Sequence, residues 1–311
     1  LININIIMPE KFLQELLVAQ DLSIEQENEL QAHKKEVTDF LRVEFGTAPA
    51  IKYAGSREKG TMIAEQYDLD IVCYFPSDDT RSLKEIREDV SNHLKKKYLI
   101  QPKASAERIT DIKGSSTPNG YHIDVVPGRF IEDTKDVFLH VAYGDKERMQ
   151  TNLKVHIDHI VNSGCVPAIR LAKLWACRNN VGIKTFILDL FVVRALSGSR
   201  NKENLTESFR KVLEIFKEEF GTLQLVDPAN SNNVVSRLMS PSEQTMVVHS
   251  AEEALNQISQ SDDIADWKSV FQEQNDDRRN SSTNPIITPR TPNQGFVPHS
   301  PHSTTYADGS R

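Results

Sequence analysis

With 311 residues, a formal net charge of -7 and an isoelectric point near 5.8, the chain can bury a sizeable core in one large domain or two modest ones, and it lacks the basic balance of a constitutive DNA or RNA binder. Cys73, Cys165 and Cys177 form no CxxC pair and no even framework, which reads as a reduced, cytoplasmic protein. No apolar run reaches the roughly 18 residues a membrane helix needs; the longest, Phe186 to Leu196, is broken by Asp189 and Arg194.

No leader pattern opens the chain, and Leu1 to Ile7, ahead of Met8, reads as the product of a non-standard start or as a gene-model extension. Ser23 to Leu41 reads as a helix, with Ser23 and Gln26 fitting a capping box and Leu30, Val37 and Leu41 at helical spacing. Ala48 to Ala54 reads as the first core strand. It delivers the chain to Gly55-Ser56, a turn before a short helix. There glycine lets the backbone approach a ligand, serine adds a hydroxyl, and the N–H groups of a helix start attract phosphate. Lys59 reads as a solvated lysine, with phosphate binding as the other reading.

Asp68-Leu69-Asp70 then feeds the short β-branched and aromatic run Ile71 to Phe75, a buried strand. Residues i and i+2 of a strand share a face, so Asp68 and Asp70 project side by side. Two such carboxylates repel unless a cation lies between them. Mg²⁺ prefers carboxylate oxygens and substrate phosphates. Ser82 to Lys97 reads as a helix capped by Ser82 and Glu85, with Lys95, Lys96 and Lys97 complementing its dipole. Ser105 to Lys113 and Tyr121 to Val126 read as a hairpin around Gly114 to Gly120, with Pro127-Gly128 ending the sheet. If the second arm lies beside the first strand, Asp124 completes a three-carboxylate cluster. A two-metal site of that kind clamps the attacking and leaving oxygens of an in-line displacement.

From about Lys146 the pattern turns helical: Val166 to Arg178, Lys184 to Leu196, Thr206 to Phe220, and one or two helices over Ala251 to Phe271, with Trp267 and Phe271 packing back. Beyond Gln272, Asn, Ser, Thr and Pro dominate, and the composition reads as a disordered tail. The expected division is a core over 1–145, a helical lobe over 146–271 and a tail over 272–311.

Gly55-Ser56, Asp68-x-Asp70 and Asp124, in that order, resemble the signature of the polymerase-β-like nucleotidyltransferases. The chain further resembles the CD-NTases, relatives of oligoadenylate synthase and cyclic GMP-AMP synthase, in Arg170-Leu-Ala-Lys173-Leu-Trp175, in Thr185-Phe186 before an apolar helix, and in Asp227-Pro-Ala-Asn230-Ser-Asn-Asn233. The resemblance covers roughly Pro9 to Phe271. It implies an α+β fold, with a mixed sheet and helices plus a C-terminal helical lobe, and a long N-terminal helix spanning both lobes. It implies two Mg²⁺ ions, or Mn²⁺ in their place, on Asp68, Asp70 and Asp124, and a donor triphosphate held by Gly55, Ser56, Lys173 and Thr185. N-capping is the other reading of Thr185. Asp227, Asn230 and Asn233 read as loop-fixing hydrogen-bonders, with base reading as the alternative, and His156 and His159 as surface or structural histidines rather than metal ligands.

The activity so implied joins NTPs into a cyclic di- or trinucleotide second messenger for anti-phage (CBASS) signalling. Its partners are an effector reached through the product and a ligase or regulator acting on the tail. The zinc insertion of cyclic GMP-AMP synthase has no counterpart, which argues against DNA-triggered activation. Two other readings stand beside it. A tRNA CCA-adding enzyme shares the acid pattern, and an inactive nucleotide-binding relative shares the fold.

Overall fold

The computed structural model describes residues 9–112, 121–143, 147–259 and 263–272. The expected extension at 1–7, the hairpin turn at 114–120 and all but the first residue of the tail lie outside them. In chain order come α1 (Pro9–Ala19), α2 (Ile24–Phe45), β1 (Ala50–Tyr53), α3 (Gly55–Lys59), β2 (Leu69–Phe75), α4 (Leu83–Lys95), β3 (Ile100–Pro102), β4 (Glu107–Ile109), β5 (Ile123–Phe130), β6 (Val137–His140) and β7 (Arg148–Thr151). Then follow α5 (Leu153–Val161), α6 (Val166–Arg178), α7 (Thr185–Ala195), α8 (Leu205–Glu219), β8 (Val226–Asp227), β9 (Asn230–Val234), a short 3₁₀ turn, α9 (Pro241–Ser259) and α10 (Ile264–Val270). The fold is α+β.

The first seven strands form one mixed sheet in the order β1-β2-β5-β4-β3, with β6 joined to the far end of β5 and β7 beyond it. β2 and β5 run parallel; β1, β4 and β6 are antiparallel to their neighbours. Expected and observed strands part at Pro127-Gly128. These residues sit inside β5, which continues to Phe130 and takes β6 as a partner. A Cβ at Gly128 would lie 2.6 Å from a Val137 methyl, so glycine permits β6 to cross closely there. β7 carries the sheet past Lys146, where helical character was expected to begin.

The buried face of the sheet sets Leu69, Ile71, Cys73, Ile123 and Val125 under α2 and α4. Both helices start at the capping boxes the sequence announces, with Ser23 accepting from Gln26 N–H and Ser82 from Glu85 N–H at 3.2 Å each. Buried Arg87 on α4 pairs with Glu107 at 2.7 Å and donates to the carbonyl of Ala104, fixing the loop before β4. The residues α2 buries all belong to this sheet cluster. The helical cluster is served by α1, whose Phe12, Leu13 and Leu16 pack among α6 and α8. The spanning role expected of one helix is therefore divided between two. Trp175, Phe191, Phe209, Phe216, Trp267 and Phe271 fill the helical core, all at most 1% exposed. No described helix is long and apolar enough to cross a membrane.

Candidate active site

Because β2 and β5 are direct parallel neighbours, Asp70 lies opposite Asp124 in the register. Alternation turns Leu69, Ile71, Ile123 and Val125 into the core, each at most 1% exposed, and turns both acids to the other face. Asp68, one residue before β2, shares that face. Its own partner is His122, whose Nδ1 is 2.8 Å from Asp68 Oδ1 and whose Nε2 is 3.7 Å from Asp124. Arg108 stands beside Asp124 on β4 and donates Nε–H and Nη2–H to its two oxygens, 2.8 Å each. Among the described residues no side chain pairs with Asp70. Burial, then the charges of Asp124 and Asp68, push its carboxyl up to about 6, with Lys59 and His122 pulling the other way.

Gly55 is built against this acid. Its φ is +62°, and a Cβ there would lie 1.6 Å from Asp70 Oδ2. Ala54 N–H donates to the Asp70 carbonyl at 2.9 Å. Ser56 follows in α3, a helix of only five residues.

The opposite wall comes from α3, α6 and α7. Lys59 is only 8% exposed, and its Nζ is 2.6 Å from Asp189 Oδ2, which overturns the solvated reading. Lys173, 7% exposed, donates to Thr61 Oγ1 at 2.8 Å and to the Thr61 carbonyl at 3.2 Å, and lies 3.0 Å from Asp189 Oδ1. Burial holds the Lys173 ammonium below its ordinary pKa, and Asp189 opposes that. Thr185 is exposed at the first position of α7. Lys184 is the N-cap and no side chain caps the helix, so the capping reading of Thr185 does not hold.

Between the walls lies a cavity of about 850 Å³, and Gly55, Ser56, Asp68, Asp70, Asp124, Lys173 and Thr185 all line it. At its rim Asp227 accepts from His156 Nε2 at 2.6 Å, Ala229 N–H at 2.8 Å and Asn233 Nδ2 at 3.0 Å, while Asn230 Nδ2 donates to the Gln150 carbonyl at 3.1 Å. These groups fix loops, as expected. Arg108, Thr61 and Asp189 were not anticipated as part of the site. Arg108 and Thr61 carry no local signal. Asp189 does: it is a carboxylate in the mostly apolar first half of α7, one turn beyond Thr185.

A donor set of carboxylate oxygens suits a hard divalent cation. Unpaired Asp70 marks the place where positive charge is short. Among the described residues no three acidic, histidine or cysteine groups are already drawn into a metal cage. Arg108 and His122 instead hold two of the acids, so a divalent cation bound by all three carboxylates would have to displace Arg108 from Asp124.

No family model matches the chain. It is 24% identical over 235 residues to a cyclic AMP-AMP-AMP synthase of Escherichia coli MS 115-1, covering 65% of this chain and 73% of that protein. Its structure superposes on E. coli MS115-1 CdnC, solved in complex with HORMA-deltaN, at a TM-score of 0.66 and 19% identity, covering 86% of this chain and 97% of that one. It superposes on the CD-NTase CdnG of Bradyrhizobium diazoefficiens, solved with GTP, at 0.67 and 11% identity, over 85% and 95% of the two chains. For Vibrio cholerae DncV bound to 3′-deoxy GTP the values are 0.64 and 15%, over 83% and 91%. In fold the chain is similar to these structures, the CD-NTase CdnG among them.

Proposed function

We propose that the protein is a Mg²⁺-dependent nucleotidyltransferase that joins NTPs into a cyclic di- or trinucleotide and releases pyrophosphate. The observation that carries this reading is the cleft itself. Two carboxylates face each other on adjacent parallel strands, Asp70 opposite Asp124, and two buried lysines, Lys59 and Lys173, line the far wall. The sequence similarity to a cyclic AMP-AMP-AMP synthase supports the choice of reaction.

In this reading Asp68, Asp70 and Asp124 hold the metal pair, which when bound supplies charge neutralisation and lowers the pKa of the attacking ribose hydroxyl. Lys173, Lys59, Ser56 and Thr185 bind and orient the donor triphosphate for in-line attack on the α-phosphorus, from which pyrophosphate departs. Gly55 keeps the turn clear of Asp70. Arg108, displaced from Asp124, is left facing the cleft as a cation for substrate phosphate. After one such addition for a dinucleotide, or two for a trinucleotide, the free hydroxyl of the linear intermediate attacks the α-phosphorus of its own terminal triphosphate, a further pyrophosphate leaves, and the ring closes. Catalysis then rests on positioning and electrostatics.

The same reading assigns an anti-phage role. The product activates a separate effector, as a second messenger, and a regulator or ligase acts on the protein, the latter through the tail. The test is mass spectrometry of products from an equal mixture of the four NTPs with Mg²⁺, with and without tRNA. A cyclic oligonucleotide of two or three units is expected. Nucleotide added only to tRNA would favour the CCA-adding alternative, and binding without pyrophosphate release would favour an inactive relative.

A further inference from the structure

Asp189 lies behind the cleft wall, with no exposed surface. Its two oxygens are shared between lysines from different elements, Oδ2 with Lys59 of α3 at 2.6 Å and Oδ1 with Lys173 of α6 at 3.0 Å. A buried carboxylate is tolerated only when it is paired. Here it is paired twice, so the cluster carries one positive charge in excess. Both lysines line the cavity while Asp189 does not. Thr61 accepts from Lys173 through both its hydroxyl and its carbonyl, which fixes that ammonium from a second side.

We infer that Asp189 is a positioning residue: it gathers Lys59 from the turn side and Lys173 from the helical side into one cationic seat whose surplus charge faces an anionic ligand in the cleft. Under the function proposed above, on which this inference rests, that ligand is the nucleotide triphosphate. Without the carboxylate, two ammonium groups confined to one buried spot repel each other and part, and the phosphates lose donors held at fixed positions.

The test uses the full chain, a non-hydrolysable ATP analogue with Mg²⁺ in a calorimeter, steady-state kinetics and a thermal melt. Wild type must bind the analogue. If it does not, the nucleotide reading itself fails, whatever Asp189 does. For a folded Asp189→Asn the analogue Kd and the KM for NTP should rise about tenfold, while kcat changes less than about threefold. In a Lys173→Met background, where Lys59 alone is left to be held, the same change should raise Kd no more than about threefold. Binding within twofold of wild type, or an undiminished tenfold loss in the Lys173→Met background, would overturn the inference. Should Asp189→Asn fail to fold, Lys59→Met/Asp189→Asn is compared with Lys59→Met. With one ammonium left there is no second to repel it, so a Kd in the double variant within about threefold of Lys59→Met supports the gathering role of Asp189, and a loss of about tenfold refutes it.

Discussion

The two walls of the cleft carry opposite charge and keep it in opposite ways. On the sheet side three carboxylates converge; two are held by Arg108 and His122, and Asp70 has no side-chain partner among the described residues. On the helical side two ammonium groups converge and are held by one carboxylate with no exposed surface. The acid wall is half-open, and under the proposed function its partners Arg108 and His122 would give way to metal. The lysine wall is closed and its counter-ion is permanent. Under the proposed function, a site built this way would recruit its cations from solution and supply its positive charge for phosphate from within.

The comparison breaks most severely at the acids. Asp70→Asn or Asp124→Asn should lower pyrophosphate release by at least about 10³-fold while circular dichroism keeps the wild-type shape. Normal turnover in both would mean that the acid wall is not where the reaction occurs. Gly55→Ala should come next, at about 10²-fold, because the added methyl must displace the Asp70 carboxylate and the +62° φ disfavours any side chain. Ser56→Ala, which leaves that contact intact, should lose much less in the same assay.

How far these residues could be read from the sequence also differs between the walls. The acids, the Gly-Ser turn, both capping boxes and the bounds of α6 follow from local spacing. Lys173 and Thr185 came from family resemblance alone. Lys59 was misjudged because a lysine in a short Gly-flanked helix looks solvated, and its burial depends on Asp189, 130 positions away. Arg108 could not be recognised, since a lone arginine on a three-residue strand acquires its role only from the β4–β5 register. The second half of the sheet was missed because Pro127-Gly128 spells a terminus. The missing side chain of Gly128 instead makes room for β6, a long-range fact that local propensity does not carry.

Arg108→Ala sharpens the comparison on the acid side. Released from the guanidinium, Asp124 should bind Mn²⁺ in the absence of nucleotide about threefold more tightly, read by electron paramagnetic resonance, while NTP affinity falls if Arg108 also serves phosphate. Unchanged Mn²⁺ affinity would mean that Arg108 does not compete for the metal.

The smallest effect is on stability. The folded-state pKa of Asp70, pushed up to about 6, lies above its unfolded value, so its contribution is fully present below the unfolded pKa and is lost as pH rises through about 6. Metal-free protein should therefore lose on the order of 2 kcal/mol from this group between pH 4 and 7, allowing for partial exposure. Asp70→Asn should flatten that slope and melt higher than wild type at pH 7 without Mg²⁺. Asp124→Asn should not melt higher, since it gives up the bidentate bond to Arg108. A pH–melting profile identical in wild type and Asp70→Asn would remove the account.

β5 is paired on one edge with β2 along residues 123–129, and on the other with β4 at its start and β6 at its end. A strand sewn in on both edges exchanges its amide hydrogens slowly and has little freedom to shift. Whatever adjusts the cleft from one catalytic turn to the next must therefore be the guanidinium, the Gly55 turn or the helices, with the backbone of Asp124 as the fixed datum from which their travel is measured.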